Sequence, residues 1–433
     1  MVSKWQKVTI EDCLEAIIDY RGMTPPKTEK GIPTLTAANI KKGRIDLSSV
    51  SYISQETYDS WITRGLPEPN DVLITTEAPV GEVAPFPSDQ TYLITRRVMA
   101  LRPNPQQLDK GFLLYLLLNP KTKETLLSRS RGSTVPRVLK PDITGLEICL
   151  PDLRMQKKIA NILCTLDKKN ELNRRMNRTL EVIAQAIFKS WFVNFEPVKA
   201  KQQAKAAGKS VELAAMMALS GKSAAEIEQL PTAQRNSLAE TAALFPERLV
   251  ESELGLIPEG WEIGNISDLF ELHRGFDLAK SKRVEDGTVP VYSAGGIHSN
   301  HNEIKITAPG VVTGRSGVIG NVFISLEDFW PLNTTLYVRE FRACGPYYAF
   351  HFLQTLDLIA LNSGSAVPSL NRNFVHSQPT KMPPTLLRKK FEEHAEKLFL
   401  LIKQNECQSK CLADTRDALL PKLLSGELTV EAT

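Results

Sequence analysis

The sequence predicts an α+β protein in which one globular domain occurs twice and each copy is followed by a long helix. The first observation is a repeat, because GSTVP, beginning at Gly132, recurs as GSAVP at Gly364, 232 residues later. The second is a set of short β-rich runs, separated by Gly and Pro, before each of these strings. The third is a seven-residue apolar spacing after them. A repeat of roughly two hundred residues is too long for a solenoid unit, so the domain is duplicated.

The repeat extends through both domains. The 232-residue offset also relates Pro151 to Pro383, and the segment NDVLITTEAPVGEV, from Asn70, aligns with PGVVTGRSGVIGNV, from Pro309. The runs DVLIT, GVVTG and NVFIS indicate strands, and residues 111–118 and 347–356 indicate one helix in each domain. We assign residues 1–151 to the first domain and 258–384 to the second.

Long helices are predicted after each domain, at 152–195 and within 385–433. Seven-residue spacing is typical of a coiled coil. Asparagines at the same heptad position, Asn173 and Asn405, are expected to fix the register at some cost in stability. Two ordinary amphipathic helices on separate cores are the alternative. Residues 196–257 read as a partly helical connector. The heptad positions are Ile159, Leu166, Asn173, Leu180 and Ile187 in one helix and Phe391, Leu398, Asn405, Leu412 and Leu419 in the other.

Composition limits the possible classes of protein. The net charge of +4 does not by itself indicate a nucleic-acid partner. No apolar run approaches the roughly 18 residues that a membrane span needs. The N-terminal residues lack the pattern of a secretory signal. The six cysteines contain no C-x-x-C pair. The expected location is the cytoplasm.

Motifs for catalysis are not found. Neither Gly208-Lys209-Ser210 nor Gly221-Lys222-Ser223 has the upstream glycine of a phosphate-binding loop. Glu303-Ile304-Lys305 has the acid-x-Lys pattern of some nucleases, but short motifs of this kind are common by chance. The pairs His298/His301 and Cys407/Cys411 each supply too few ligands for a zinc site. We therefore predict no catalytic residue, no metal site and no cofactor site in this chain.

The order of these strings resembles that of a known family. TGRSGVIG, GSTVPR, GSAVP, SWFVNFEPV and LLPKLLSGEL occur here in the arrangement of a specificity subunit of a Type I restriction–modification enzyme. The resemblance covers almost the whole chain. It implies two target recognition domains, each reading half of an asymmetric bipartite DNA site, separated by two antiparallel coiled-coil helices in a pseudo-two-fold arrangement. It also implies docking of two modification subunits and of restriction subunits. S-adenosylmethionine, ATP and Mg²⁺ would belong to those partners.

Candidate DNA-binding residues follow from side-chain chemistry in the repeated loops. Arginine matches guanine, asparagine and glutamine match adenine, and backbone amides or lysine hold phosphate. A surface ion pair is the alternative for each arginine, and the loop glycines favour a turn over a DNA contact. The candidates are Arg21, Thr75, Thr76, Arg131, Arg137 and Lys140 in the first domain and Arg274, Arg315, Ser316, Asn371, Arg372 and Asn373 in the second.

The ends of the two long helices carry more apolar residues than contact between two helices requires. Exposed patches of this size usually mark an interface, so we predict a docking surface for the modification subunits. A protein–protein adaptor that does not bind DNA is the alternative function, and a nuclease or methyltransferase is a third. The predicted docking residues are Ile187, Phe188, Trp191, Phe192, Leu419, Leu420, Leu423 and Leu424.

Overall fold

The computed structural model describes residues 5–20, 24–132, 134–284 and 286–429. The chain divides into two compact units. Unit 1 is Met1–Asn173 together with Gln408–Thr433, and unit 2 is Arg174–Cys407. Each unit therefore contains one globular domain and a part of both long helices.

Unit 1 is built mainly on antiparallel β-structure, with helices packed against its sheets. Its short 3-10 turns are Glu11–Cys13 and Ala37–Asn39. Its strands are β1 (Gln6–Thr9), β2 (Leu14–Asp19), β3 (Ile32–Leu35), β4 (Ile40–Lys41), β5 (Arg44–Ile45), β6 (Ser51–Ile53), β7 (Val72–Thr75), β8 (Val83–Pro85), β9 (Leu93–Ile94), β10 (Val98–Pro103) and β11 (Glu147–Leu150). Its helices are α1 (Gln55–Trp61), α2 (Lys110–Leu118), α3 (Pro120–Ser128), α4 (Lys140–Thr144) and the first part of α5 (Leu153–Phe188).

The main sheet of unit 1 has the order β2-β10-β7-β8, with antiparallel neighbours. A second sheet, β6-β3-β9, pairs β3 parallel to β9. Strand β7 is buried at every position because α2 packs on one face of its sheet and the second sheet packs on the other. Helix α2 begins where the Asp109 carboxylate accepts a hydrogen bond from the Phe112 amide at 3.0 Å.

Unit 2 adds a helical connector to a domain of the same design. Its described short turns are the 3-10 turn Lys280–Lys282 and a π-helical turn, Lys189–Val193, that continues α5. The remaining helices are α6 (Glu196–Ala206), α7 (Val211–Ser220), α8 (Ala224–Glu228), α9 (Thr232–Ala243), α10 (Ile266–Leu269), α11 (Pro346–Thr355), α12 (Arg372–His376) and α13 (Thr385–Ser425), whose last part belongs to unit 1. The strands are β12 (Leu249–Val250), β13 (Ile257–Pro258), β14 (Glu262–Asn265), β15 (Phe270–Arg274), β16 (Val289–Ser293), β17 (Gly296–His301), β18 (Gly310–Gly314), β19 (Val322–Ser325), β20 (Trp330–Pro331), β21 (Thr335–Phe341) and β22 (Pro379–Met382).

The duplication is confirmed strand by strand. The order β15-β21-β18-β19 in unit 2 matches β2-β10-β7-β8, and β17-β16-β20 matches β6-β3-β9, including the one parallel pairing. The ladder from Gln6 to Leu150 recurs between Glu262 and Met382. Helices α4 and α12 begin 232 residues apart, as α5 and α13 do. The predicted α+β class and repeated domain are therefore correct.

The two long helices run antiparallel in each unit. In unit 1 the guanidinium of Arg416 binds the carboxylate of Asp167 at 2.7 Å, and the side-chain amide of Asn173 donates to Ser409 Oγ at 3.2 Å. In unit 2 the Asn405 amide donates to Asn177 Oδ1 at 2.8 Å. These two contacts are equivalent in the repeat, because Asn173 corresponds to Asn405 and Asn177 corresponds to Ser409. The two helices exchange roles between the units. This confirms polar partners at the predicted heptad positions, and two helices on separate cores are excluded.

The predicted exposed docking surface is wrong. Trp191 is only 4% exposed and packs edge-on against Phe245, with ring centroids 5.4 Å apart. Leu423 is 1% exposed in the core of unit 1. The apolar ends of the long helices pack into the cores of the units. Their apolar residues therefore stabilise the domains as well as the contact between the two helices. Buried or half-buried in these cores are Ile187, Phe188, Trp191 and Phe192 in unit 2 and Leu419, Leu420, Leu423 and Leu424 in unit 1.

The connector helices of unit 2 form a small core of their own. It contains Ala215, Met216, Ile227 and Ala242. Lys201 is buried, and its ammonium donates to the carbonyl of Phe245 at 2.6 Å. Among the described residues, no helix has the length and apolar character needed to cross a bilayer.

Candidate nucleic-acid interface

Three loops meet at the same place in each domain, and main-chain hydrogen bonds hold them together. In the first domain the Thr76 amide donates to the carbonyl of Arg97 at 2.9 Å, and the Val138 amide donates to the carbonyl of Thr76 at 2.9 Å. Residue 76 thus joins the end of β7 to the turn before β10 and to the loop before α4. Main-chain groups must be paired in any buried loop, and here they pair between loops.

The second domain repeats this arrangement. The Arg315 amide donates to the carbonyl of Thr334 at 2.8 Å, and the Leu370 amide donates to the carbonyl of Arg315 at 2.8 Å. Bridges between Glu77 and Arg137 and between Ser316 and Ser369 also correspond. We call each set a three-loop cluster: residues 76–77, 95–97 and 131–138 in the first domain, and 315–317, 332–334 and 363–370 in the second.

Each cluster includes a hairpin whose glycine is structurally required. Arg131 and Arg137 exchange amide–carbonyl bonds of 2.8 and 2.9 Å. Gly132 has φ +96°, and a Cβ there would lie 2.9 Å from the Val135 carbonyl oxygen. At Gly364 a Cβ would lie 2.1 Å from the Val367 carbonyl oxygen. These glycines form turns, as predicted.

The candidates in the first domain differ in accessibility. Arg21 lies outside the described residues. Thr75 is fully buried: its hydroxyl donates to the Pro79 carbonyl at 2.5 Å and accepts from the Glu82 amide at 2.9 Å. The prediction that Thr75 contacts DNA is wrong, because this side chain closes the turn after β7. Thr76 is half-buried and contributes the main-chain bonds above.

The basic candidates of the first domain face solvent around the hairpin. The Arg131 side chain is 63% exposed and lies 3.5 Å from an oxygen of Asp142. Arg137 is exposed, and Lys140 is the first residue of α4. Within the described ranges neither Arg137 nor Lys140 has a carboxylate within 4 Å. An ion pair therefore holds only Arg131, and the other two cations are available to a phosphate or base.

In the second domain one nitrogen of the Arg315 guanidinium is hydrogen-bonded within the protein. Its Nε donates to the carbonyl of Asn333 at 3.1 Å. Among the described residues no partner is found for the two terminal nitrogens. The Asn333 amide contacts Asp277, which also lies 3.5 Å from Arg274. Arg274 and Arg315 are therefore brought to the same cluster, with the Arg315 fork oriented before any ligand binds.

The start of α12 supplies the remaining candidates. Asn371 caps the helix, its Oδ1 accepting from the Asn373 amide at 2.9 Å. Arg372 occupies the position equivalent to Lys140, and Asn373 is exposed. Ser316 contributes its amide to the Thr334 carbonyl at 3.1 Å.

A half-buried histidine joins α12 to the main sheet. His376 Nε2 accepts the Leu272 amide at 2.8 Å, which requires the neutral ring. Burial lowers the pKa of His376, and the nearby Arg372 lowers it further. The imidazole is therefore a neutral support for α12, and the positive charge of the cluster comes from arginine.

Arg96 and Arg97 also belong to the first cluster, although neither was predicted from the sequence. They form the turn that carries the carbonyl bonded to Thr76. Arg97 binds the Glu77 carboxylate at 2.9 Å, whereas Arg96 is exposed. Two adjacent arginines directly before the buried strand β10 were the available signal. Their equivalents, Asn333 and Thr334, carry no charge.

The acid-x-Lys motif and the histidine pair noted in the sequence make surface contacts with neighbouring side chains. Glu303 and Lys305 form a surface ion pair, and Lys305 lies over the Trp330 ring. His298 Nδ1 lies 3.1 Å from Arg283. No group of three or more His, Cys, Asp or Glu side chains suited to a metal occurs in the part of the chain that the structure describes.

Comparison with known proteins identifies the family. The family model described as Type I restriction modification DNA specificity domain matches residues 2–182 and 258–412. The chain belongs to this family. The two matches include both three-loop clusters and most of both long helices.

Individual relatives agree with the family assignment. The chain is similar to the specificity subunit of the HindI Type I restriction enzyme of Haemophilus influenzae, with 31% identity over 380 residues, 78% of this chain and 81% of that one. It is also similar to the MjaIX specificity subunit of Methanocaldococcus jannaschii, with 24% identity, covering 83% and 78% of the two chains. The fold resembles the crystal structure of an S subunit from M. genitalium, with a TM-score of 0.52 and 16% identity, over 99% and 97% of the chains.

Proposed function

We propose that this chain is the DNA-specificity subunit of a Type I restriction–modification complex. The observation that carries the proposal is the pair of matching three-loop clusters, each surrounded by basic side chains, with amide side chains added at the second. Loops held by their own main chain leave side chains available for base edges and phosphates. Two such clusters in one chain suit a site with two separate halves.

The two half-sites differ in sequence. Equivalent positions carry Thr76 and Arg315, and Leu139 corresponds to Asn371. Arginine selects guanine and asparagine selects adenine, whereas threonine and leucine cannot make either of these paired hydrogen-bond contacts. The recognised site is therefore asymmetric.

Catalysis belongs to partner subunits. Two modification subunits would supply S-adenosylmethionine and the methyl transfer to adenine, and restriction subunits would supply ATP- and Mg²⁺-dependent cleavage. This chain needs no cofactor or catalytic residue of its own, in keeping with a sequence that lacks the usual motifs. A cytoplasmic location follows from that role.

Exposed apolar residues on the sides of the long helices replace the helix ends as the docking surface. Val182 is 63% exposed and Leu400 is 53% exposed, each on a helix of unit 2. Large apolar side chains are costly to leave in water, and exposed apolar patches often mark an interface. Replacing both with serine should weaken co-purification of the modification subunit without changing the melting temperature.

DNA reading is tested on the complex with its modification subunits. The matched variants are Lys140→Ala in the first domain and Arg372→Ala in the second. We expect each to weaken recognition of a different half-site, measured by gel shift at several salt concentrations and by mapping methylated adenines. Loss of a phosphate contact lowers the salt slope by about one. The exposed connector residue Lys222, changed to Ala, is the control, and unchanged binding and methylation in both test variants would contradict the proposal.

A further inference from the structure

Both hairpins of the three-loop clusters present a valine to solvent at the same position. Val135 is 45% exposed and Val367 is 55% exposed. The tight turn fixes their outward direction, because the carbonyl of each valine closes against Gly132 or Gly364. In the second domain the Gly317 amide also binds the Pro368 carbonyl at 3.0 Å and supports the hairpin from behind.

The surroundings of the two valines indicate what covers them. Arg131 and Arg137 form the base of the first hairpin, and the main chain joins the second to Arg315 through Leu370. A polyanion is therefore the expected occupant on charge grounds. A valine side chain cannot bond a phosphate or a polar base edge. The one base substituent in the major groove that suits it is the C5 methyl group of thymine.

We infer that Val135 and Val367 are specificity-determining residues, each packing against a thymine C5 methyl group in its own half-site. The inference rests on the proposed function and adds to it the class of base that each hairpin selects. Valine occupies this position in both loops, whereas the position before it differs, with Thr134 corresponding to Ala366.

The test measures binding of the assembled complex to duplexes in which deoxyuridine replaces each thymidine of a half-site in turn, which removes only the methyl group. Wild type should lose about fourfold in affinity at one position of each half-site, the worth of one buried methyl. Val135→Ala should lose about tenfold and become insensitive to uridine in the first half-site only. Val367→Ala should do the same in the second. Such coupling between protein and base identifies a direct contact.

The matched control is Val193→Ala, because Val193 is also 45% exposed but lies on the π-helical turn after α5. It should keep both affinity and uridine sensitivity. Melting temperatures of all three variants should equal that of wild type.

Several outcomes overturn the inference. The inference is wrong if either valine variant binds like wild type, or if a half-site contains no A·T pair. It is also wrong if the uridine effect persists in the alanine variants. A rise in 2-aminopurine fluorescence on binding, lost in the alanine variants and without any uridine effect, would assign the valines to wedging between bases instead. If the wild-type complex shows no preferred sequence at all, the proposed function fails first.

Discussion

Lengthening both long helices should lengthen the spacer between the two half-sites. The perturbation is a matched insertion of four residues of high helix propensity after Asn173 and after Asn405. The bond from Asn173 to Ser409 and the bond from Asn405 to Asn177 each keep both partners on one side of the insertions. The polar pairs that fix the register are therefore preserved in both units.

The magnitude follows from helix geometry. Four residues add about 6 Å along the axis and turn the helix by about 400°, some 40° beyond one full turn. At 3.4 Å per base-pair step the added length is about 1.8 base pairs. At 10 to 10.5 base pairs per turn the added rotation is about one base pair. The spacer should therefore grow by one or two base pairs, while both half-site sequences stay unchanged.

The assay is the adenine methylome of a strain that carries the double insertion. A matched insertion of two residues is the control, since it rotates the seam by about 200° and should abolish methylation. Methylation by the four-residue variant at the original spacing would show that the helices do not set the distance. A changed half-site sequence would show that the insertions disturb the domains.

Three further predictions concern single residues. Arg315→Ala should cost about 1–3 kcal/mol in binding and relax one position of the second half-site, whereas loss spread evenly over sequences would assign Arg315 to phosphate. Arg315→Lys should not rescue it, because lysine lacks the Nε that binds Asn333. Glu392 accepts the Tyr348 amide at 2.6 Å, yet burial raises its pKa to about 7. Its folded pKa lies above the ordinary glutamate value of 4.5, so its contribution to stability is present at low pH and is lost as pH rises through 7. In Glu392→Gln this decline between pH 5 and 8 should shrink in thermal melts, and an unchanged decline would exclude the carboxyl. Trp191→Ala should destabilise unit 2 by about 3–5 kcal/mol by denaturant titration, while its exposed neighbour Val193→Ala should have little effect. Loss of partner binding with full stability in Trp191→Ala would restore the original docking prediction.

Much of the fold could be predicted because its signals are periodic or repeated. The heptads gave both long helices, and the offset from Gly132 to Gly364 gave the duplicated domain. The equivalent roles of Asn173 and Asn405 could also be predicted, because the two residues occupy one heptad position and each bonds the other long helix. These inferences need only the order of residues along the chain.

The predictions that were wrong concern residues whose exposure depends on what their side chains pack against. A heptad pattern shows that Trp191 and Leu423 are on an apolar face, but not that a domain of the same chain covers that face. Thr75 and Thr76 are adjacent, yet only the second is near the surface, because side chains alternate along a strand and its end. The position of Arg96 depends on the closure of three loops that are distant in sequence.

If the three-loop clusters bind DNA as proposed, they explain how one fold can read two different sequences. At residues 76 and 315 the same two main-chain bonds are made by threonine and by arginine, with lengths of 2.8 to 2.9 Å. Because amides and carbonyls hold the loops, the side chain at this position can change without loss of the scaffold. The position after β7 and the start of α12 can therefore alter base preference with little effect on stability. Separation of recognition from stability is what a protein needs if its target sequence is to change while its partners and fold remain the same.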